Sequence, residues 1–310
     1  MRVLIALGGN AMTSADGRAR VEDQQAAAVV AMRAVAELIE GGDDVVLTHG
    51  NGPQVGNLLV KNELAAAVVP PVPLDWCGAQ TQATLGFTLM NALENELGRR
   101  GVERRTAALV TRARVDADDP GLSHPSKPIG RYLPEDEARR LMEHGETWED
   151  RGGKGWRRVV ASPEPREILD AVAVRTLVDA GYVVVANGGG GIPTVRDAEG
   201  LRGVEAVIDK DLGAALLAET VDADVLVIAT DVSNAVLRYG TPEAEEIGRV
   251  SVAEMRGYAA EGHFASGSMG PKVDAACRFV ERAGGHAVIT NLENIRDAVA
   301  GDTGTVVVPD

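Results

Sequence analysis

A chain of 310 residues can bury a substantial core, and length alone predicts about two lobes. Hydrophobic residues make up 45% but aromatics only 3%, so the core has to be built from Val, Ala, Leu and Ile, and nothing in the composition resembles disorder. A formal charge of −15 argues against grip on a phosphate backbone, which needs a basic face, so no nucleic-acid partner is expected.

The first strand is predicted over Val3 to Leu7, within MRVLIALGGN, an apolar run far too short for a signal peptide or a membrane span. No other stretch supplies one, so no membrane partner is expected. A helix follows over about Glu22 to Glu40, with Val29, Met32, Ala36 and Ile39 on one face and Gly41 and Gly42 to stop it. The second strand is Val45 to Thr48; later ones read as Ala107 to Thr111, Tyr182 to Ala186, Val225 to Ala229, Ala287 to Thr290 and Thr305 to Val308. Their β-branched runs, polar on neither face, fit strands buried from both sides. Helices are expected between them, at about Gln80 to Arg99, Arg166 to Ala180, Leu212 to Thr220 and Val273 to Ala283. This alternation predicts an α/β fold: a three-layer αβα sandwich around a central, mostly parallel open sheet. The apolar helix stretch Thr84 to Leu93 could serve either as core or as a contact surface between subunits.

From about Asp116 to Trp156 the rhythm breaks. The stretch is polar and punctuated by Pro and Gly, with one short helix beginning near Pro134 and no strong apolar strand. An excursion of that length inside a compact domain predicts a small inserted, protruding subdomain or lid, 116–156. Cys77 and Cys277 lie in apolar helical stretches without CxxC spacing, which points to a reduced, cytoplasmic setting. The five histidines are scattered, and no side-chain metal site is predicted.

Four glycine-rich or polar turns follow predicted strands: GGNA (Gly8 to Ala11), HGNGPQVG (His49 to Gly56), NGGGGIP (Asn187 to Pro193) and TDV (Thr230 to Val232). All lie at carboxyl ends, the edge of a parallel sheet where ligands bind and where successive glycine amides can curl around an anion. Lysine usage points the same way. Only five lysines stand against 26 arginines, and Lys127 (PSKPIG), Lys210 (VIDKDLG) and Lys272 (GSMGPK) sit in short Gly/Pro/Asp contexts. An ammonium is a compact charge that can follow a moving phosphoryl group, whereas a guanidinium is a fork suited to fixed pairing. Known phosphate signatures are absent: there is no GxxxxGK[ST], no protein-kinase set, and no strand before Ser268 to make GSMG a nucleophile elbow.

ALGGNA, THGNGPQVG, PLDWCGAQTQ, PSKPIG, VVASPEP, NGGGGIP, GVEAVIDKDL and GSMGPKV occur in the order and approximate spacing seen in carbamate kinases, a branch of the amino-acid kinase superfamily. The chain resembles that family over essentially its whole length, departing at Asn187, Thr194 and Arg131. The resemblance implies reversible phosphoryl transfer between ATP and carbamate, giving ADP and carbamoyl phosphate, with Mg2+ on the nucleotide and no tightly bound cofactor. It implies an acceptor-side N-terminal half, a nucleotide-side C-terminal half from about 190 to 310, homodimers, and ATP formation at the end of arginine catabolism. Carbamate is already an oxyanion, so no general base is needed, in keeping with the missing catalytic histidine.

By the same resemblance, Lys210 and Lys272 reach the phosphates from the nucleotide half, and Lys127 arrives from the excursion. Asp209 is expected to hold lysine ammoniums in place, although an aspartate there could equally be a helix N-cap. Gly8, Gly9, Asn10, Gly50, Asn51 and Gly52 are expected to bind carbamate. Gly189, Gly190, Asp211, Asp231, Tyr239 and Met269 are expected on the nucleotide side, Tyr239 and Met269 flanking the adenine.

Overall fold

In chain order the first elements are β1 (Arg2–Leu7), α1 (Val21–Glu40), β2 (Asp44–His49), α2 (Gly52–Ala65), α3 (Leu74–Arg100), β3 (Arg105–Ala108), β4 (Arg112–Arg114) and the single turn α4 (Pro120–Ser123). Next come β5 (Lys127–Leu133), α5 (Glu135–Met142), β6 (Thr147–Asp150) and β7 (Trp156–Val160), then β8 (Glu167–Ile168), α6 (Ala171–Asp179) and β9 (Tyr182–Val185). β10 (Ile192–Asp197), β11 (Gly200–Gly203), α7 (Lys210–Thr220), β12 (Val225–Thr230), β13 (Val236–Leu237) and β14 (Glu245–Glu246) follow. Last are β15 (Arg249–Ser251), α8 (Val252–Ala260), α9 (Met269–Ala283), β16 (His286–Asn291), α10 (Ile295–Ala300) and β17 (Thr305–Val308). The structure, a computed structural model, describes residues 1–8, 20–143, 145–265 and 267–310.

An eight-stranded sheet in the order β15-β17-β16-β12-β1-β2-β9-β3 forms the middle layer. Every pairing is parallel except β16 with β17. Successive side chains of a strand point to opposite faces, and both faces here are covered. Leu4, Ala6, Val46, Val184, Leu226 and Ile228 meet residues of α6, α7, α8 and α9 on one side. Val3, Ile5, Leu7, Val45, Leu47 and Val227 meet α1, α3 and α10 on the other. This is the expected three-layer αβα sandwich. Because both faces are buried, the strands read as unbroken apolar runs rather than alternating ones. Leu85, Leu89 and Leu93 lie in this core, so the inner face of the 84–93 stretch is interior, with Phe87 exposed on the other side.

Several boundaries differ from expectation, α7 and α9 starting earlier, at Lys210 and Met269, and three others having a visible cause. α3 starts at Leu74 rather than Gln80, with Pro73 as N-cap and Asp75 in its first turn. β3 covers Arg105–Ala108 rather than 107–111, because after the bond from Leu109 N to Val185 O the chain turns away and Thr111 N donates to Gln82 Oε1 instead. The helix expected from Arg166 is α6 from Ala171, since Glu167 and Ile168 pair with β4.

The polar excursion, expected to hold one short helix and no strong apolar strand, has strands that are short and mostly polar. It holds a three-stranded antiparallel sheet, β5-β7-β6, reaching to Val160, with α5 packed on it through Leu133, Ala138 and Trp148. Its strands are hard to see in sequence because Pro128 and Gly130 interrupt β5. Gly130 takes φ 68 at the register shift between Ile129 and Tyr132. At its root, Ile129 and Val160 join Val55 and Leu59 of α2 and Leu74 and Cys77 of α3 in a separate apolar cluster. Among the described residues no helix is long and apolar enough to cross a membrane.

Candidate active site

β12, β1, β2 and β9 are neighbours running in one direction, so the turns that leave them lie side by side on one edge, where the strand order switches between the two halves of the chain. A Cβ on Gly8 would stand 3.0 Å from Ala229 O, so the turn after β1 passes tightly over the end of β12. Gly9 and Asn10 lie outside the described residues. After β2, Gly50 N donates to Leu7 O at 2.9 Å, and Asn51 is the N-cap of α2, whose first residue is Gly52. The free first-turn amides of α2 therefore face this edge, a setting that favours an anion. The Asn51 side chain does not cap the helix; its Nδ2 donates to Thr81 Oγ1 at 2.9 Å.

After β9 the backbone turns left-handed at Asn187 (φ 55) and again at Gly189, Gly190 and Gly191 (φ 67, 88 and 92). Gly190 has a second reason to be glycine, since a Cβ there would meet Ile208 at 2.8 Å. The turn thus brings the residues leading into α7 against this edge.

Asp209 is the N-cap of α7: its Oδ1 accepts from Asp211 N at 2.9 Å and Leu212 N at 3.4 Å, while its Oδ2 accepts from Lys127 Nζ at 2.5 Å. The helix cap and the ammonium contact are thus both present, one on each oxygen. The other two lysines are not on Asp209. Lys210 Nζ donates to Asp211 Oδ1 at 2.5 Å and Lys272 Nζ, from the first turns of α9, to Asp211 Oδ2 at 2.9 Å. Asp211, expected on the nucleotide side, is in this structure the carboxylate that spans two ammoniums. Three cations on two carboxylates leave the cluster one unit positive. Asp211 is almost wholly buried; burial alone would raise its carboxyl, but the Lys210 and Lys272 charges outweigh this and hold it at about 2. Burial also lowers the Lys210 ammonium below the ordinary lysine value, with Asp211 acting in the opposite sense and Lys272 adding to the fall.

A cleft of about 1310 Å³ brings together Gly50, Asn51, Gly52, Lys127, Gly189, Asp209 and Lys210, with Ser126, Pro128, Gly130, Arg131, Arg151 and Arg157 of the inserted sheet and its approaches on its other wall. Gly8, Gly190, Asp211, Asp231, Tyr239, Met269 and Lys272 are not among its lining residues; Asp211 and Lys272 join the site through their contacts with Lys210 and with each other. Tyr239 is 78% exposed between β13 and β14, and Met269, half-buried, packs on the main core. Among the described residues no group of three or more His, Cys, Asp or Glu side chains is arranged to hold a metal ion.

A supporting layer went unread in the sequence. Gln82 of α3 accepts from Thr111 N and donates to Thr111 O at 3.1 Å and Gly188 O at 2.9 Å, tying the glycine turn to the helix. Thr48 Oγ1 donates to Asn187 O at 2.8 Å, and Asn187 N donates to Thr111 Oγ1 at 2.6 Å. His49 is fully buried with Nδ1 3.1 Å from Gly50 O; burial pushes its pKa down to about 4, so it stands neutral near pH 7. The one sequence signal for this layer is polar Thr81 and Gln82 on the mostly apolar buried face of α3.

An αβα sandwich whose parallel strands end on glycine turns, with three lysines held over that edge, has the architecture of a small-molecule kinase. The family model described as the amino acid kinase family matches residues 1–291. Carbamate kinases from Pyrococcus furiosus and Thermococcus kodakarensis are 44% and 46% identical to the chain, each alignment covering 99% of both proteins. A solved structure of carbamate kinase from Giardia lamblia bound to AMP-PNP superposes with a TM-score of 0.94 at 39% identity, covering 100% of this chain and 98% of that one. The chain belongs to the amino acid kinase family, and within it to the carbamate kinases.

Proposed function

We propose that the chain transfers a phosphoryl group reversibly between ATP and carbamate, giving ADP and carbamoyl phosphate, and that it runs toward ATP in the cytoplasm as the last step of arginine catabolism. The observation that carries the reading is the Asp209 and Asp211 pair holding Lys127, Lys210 and Lys272 beside the glycine turns. Two unit negative charges at 4 Å repel by about 4 kcal/mol at an effective dielectric of 20. Bringing carbamate and a γ-phosphoryl group together therefore needs mobile positive charge and oriented amides. In this reading Gly8, Gly9, Asn10, Gly50, Asn51 and Gly52 hold carbamate, which is small enough that backbone donors suffice. Lys210 and Lys272 neutralise the nucleotide phosphates and Lys127 meets the phosphoryl group in transit. Asp211 offsets the repulsion between the Lys210 and Lys272 ammoniums it bridges, and Asp209 aims Lys127.

Magnesium enters as part of the nucleotide substrate and spreads charge on its phosphates. Gly189 and Gly190 approach the nucleotide through backbone, with Asp231, Tyr239 and Met269 on the outer part of that side; closing of the C-terminal half would have to bring them nearer. The inserted sheet acts as a lid, and the working unit is a homodimer. A coupled assay, carbamoyl phosphate plus MgADP with ATP detected, tests the reading; absence of ATP from folded protein refutes it. Size-exclusion chromatography with light scattering tests the dimer.

A further inference from the structure

We infer that Gly56 is a positioning residue: it sets how deeply the lid strand seats against α2, and through it where the Lys127 ammonium stands relative to the Gly50–Gly52 turn. The inference rests on the reading that Lys127 meets the transferring phosphoryl group. A Cβ built on Gly56 would lie 2.9 Å from Gly130 Cα and 3.3 Å from Gly130 N, where ordinary contact is 3.4–4 Å. The obstructing atoms are backbone, so no rotamer change relieves the clash. α2 and β5 therefore touch main chain to main chain at this point.

Both partners of the contact are tied to the site by short, stiff paths. Gly56 is one helical turn from Gly52 on α2, and Gly130 is three residues along β5 from Lys127. Apolar contacts brace the seat on either side, Val55 and Leu59 from α2 against Ile129 and Val160 from the lid. Lys127 itself is fixed at its far end by Asp209. A helix interior ordinarily disfavours glycine relative to alanine. Gly98 in α3 shows the contrast, since a Cβ there would meet nothing within 4 Å. Glycine at 56 therefore fits a demand for close approach rather than for helix stability.

Gly56→Ala has to push β5 outward by half an ångström or more to reach ordinary contact. A misplacement on the scale of 1 Å can cost on the order of 100-fold in rate. The test compares Gly56→Ala, Lys127→Ala, the double variant and Gly98→Ala in the carbamoyl phosphate plus MgADP assay, with melting temperatures. Expected is a folded Gly56→Ala with a melting temperature lowered by no more than several degrees and kcat lowered roughly 10- to 100-fold. Its KM for MgADP should hold steady, and Gly98→Ala should keep both constants. In the Lys127→Ala background, Gly56→Ala should cost nothing more.

Equal fold-losses in both backgrounds would overturn the inference, because Gly56 would then act through something other than Lys127. A Gly56→Ala chain that fails to fold, or that keeps full kcat, also overturns it. Full activity in Lys127→Ala alone would instead sink the reading beneath it.

Discussion

Asp209 divides its carboxylate between two tasks, Oδ1 capping α7 and Oδ2 holding Lys127. Asp209→Asn can keep the cap through its amide oxygen, but it sets an amide donor against the ammonium. Turnover is expected to fall by on the order of 100-fold, the scale for losing a preorganised electrostatic group, while the melting temperature moves by only a few degrees. Lys272→Arg should do no better than Lys272→Ala, because the Nζ lies 2.9 Å from Asp211 in a pocket that leaves the side chain 15% exposed, and a planar fork can neither fit there nor follow the phosphoryl group. Near-native kcat in the Arg variant would remove Lys272 from the mechanism. His49 gives a stability signature of opposite sign to a salt-bridged histidine. Its folded pKa, about 4, lies below the ordinary 6.5, so the unfolded chain takes up the proton first and stability is lost as pH falls from 6.5 to about 4. The loss attributable to His49 is on the order of 3 kcal/mol. Urea titrations of wild type and His49→Gln between pH 7 and pH 4 should show the wild type losing stability more steeply; parallel curves would remove the assignment. For Asp211, whose folded pKa is depressed, the contribution is present above about pH 4 and fades toward pH 2.

At the scale of elements, the inserted sheet is packed against the body at its root. Ser126 N bonds to Val160 O, Val207 N bonds to Ala161 O, and Ile129 and Val160 are buried against α2 and α3, whereas the apolar contacts of α5, β6 and the outer end of β7 are those of the small cluster around Trp148. Hydrogen exchange should therefore find residues 127–129 and 159–161 protected without ligand. Residues 135–158 should gain protection only when carbamoyl phosphate and MgADP are both present. Equal protection of 135–158 with and without ligands would mean that the sheet is no lid. The same contrast explains what could be read beforehand. The central strands announce themselves because burial on both faces demands unbroken apolar runs such as VLIAL and VLVIA, but the lid strands, wet on one side and broken at Pro128 and Gly130, carry no such run. Lys127, Lys210 and Lys272 were legible because lysine is scarce. That Asp211 rather than Asp209 holds two of them was not, because which carboxylate an ammonium meets depends on the turn of α7 and the approach of α9. Gln82, Thr111 and His49 stayed hidden for the same reason: their partners come from distant parts of the chain.

Over the whole molecule the charge is −15, yet Arg131, Arg151 and Arg157 of the inserted sheet, and Arg20 opposite, line the cleft. Arg20, Arg131 and Arg151 are each paired with a carboxylate (Asp23, Glu63 and Glu149), so the surplus positive charge met by an anionic substrate is that of Arg157 together with the one unit of the lysine cluster, and a cleft concentrates such a field. With a Debye length of about 10 Å at 0.1 M salt, raising sodium chloride from low to high concentration should raise KM for carbamoyl phosphate several-fold and leave kcat much less affected. A KM indifferent to salt would show that this charge plays no part in capture. The lysine cluster has a further consequence, in the chemistry of labelling. Lys210 and Lys272 are tucked against Asp211, with side chains 11% and 15% exposed, and Lys127 is engaged by Asp209. Lys61 on α2 and Lys154 between β6 and β7 are exposed. An amine-acylating reagent should consequently modify Lys61 and Lys154 while sparing the site, placing one label on the inserted sheet and another on the helix at its root, so that the sites of acylation read by mass spectrometry report which ammoniums are engaged.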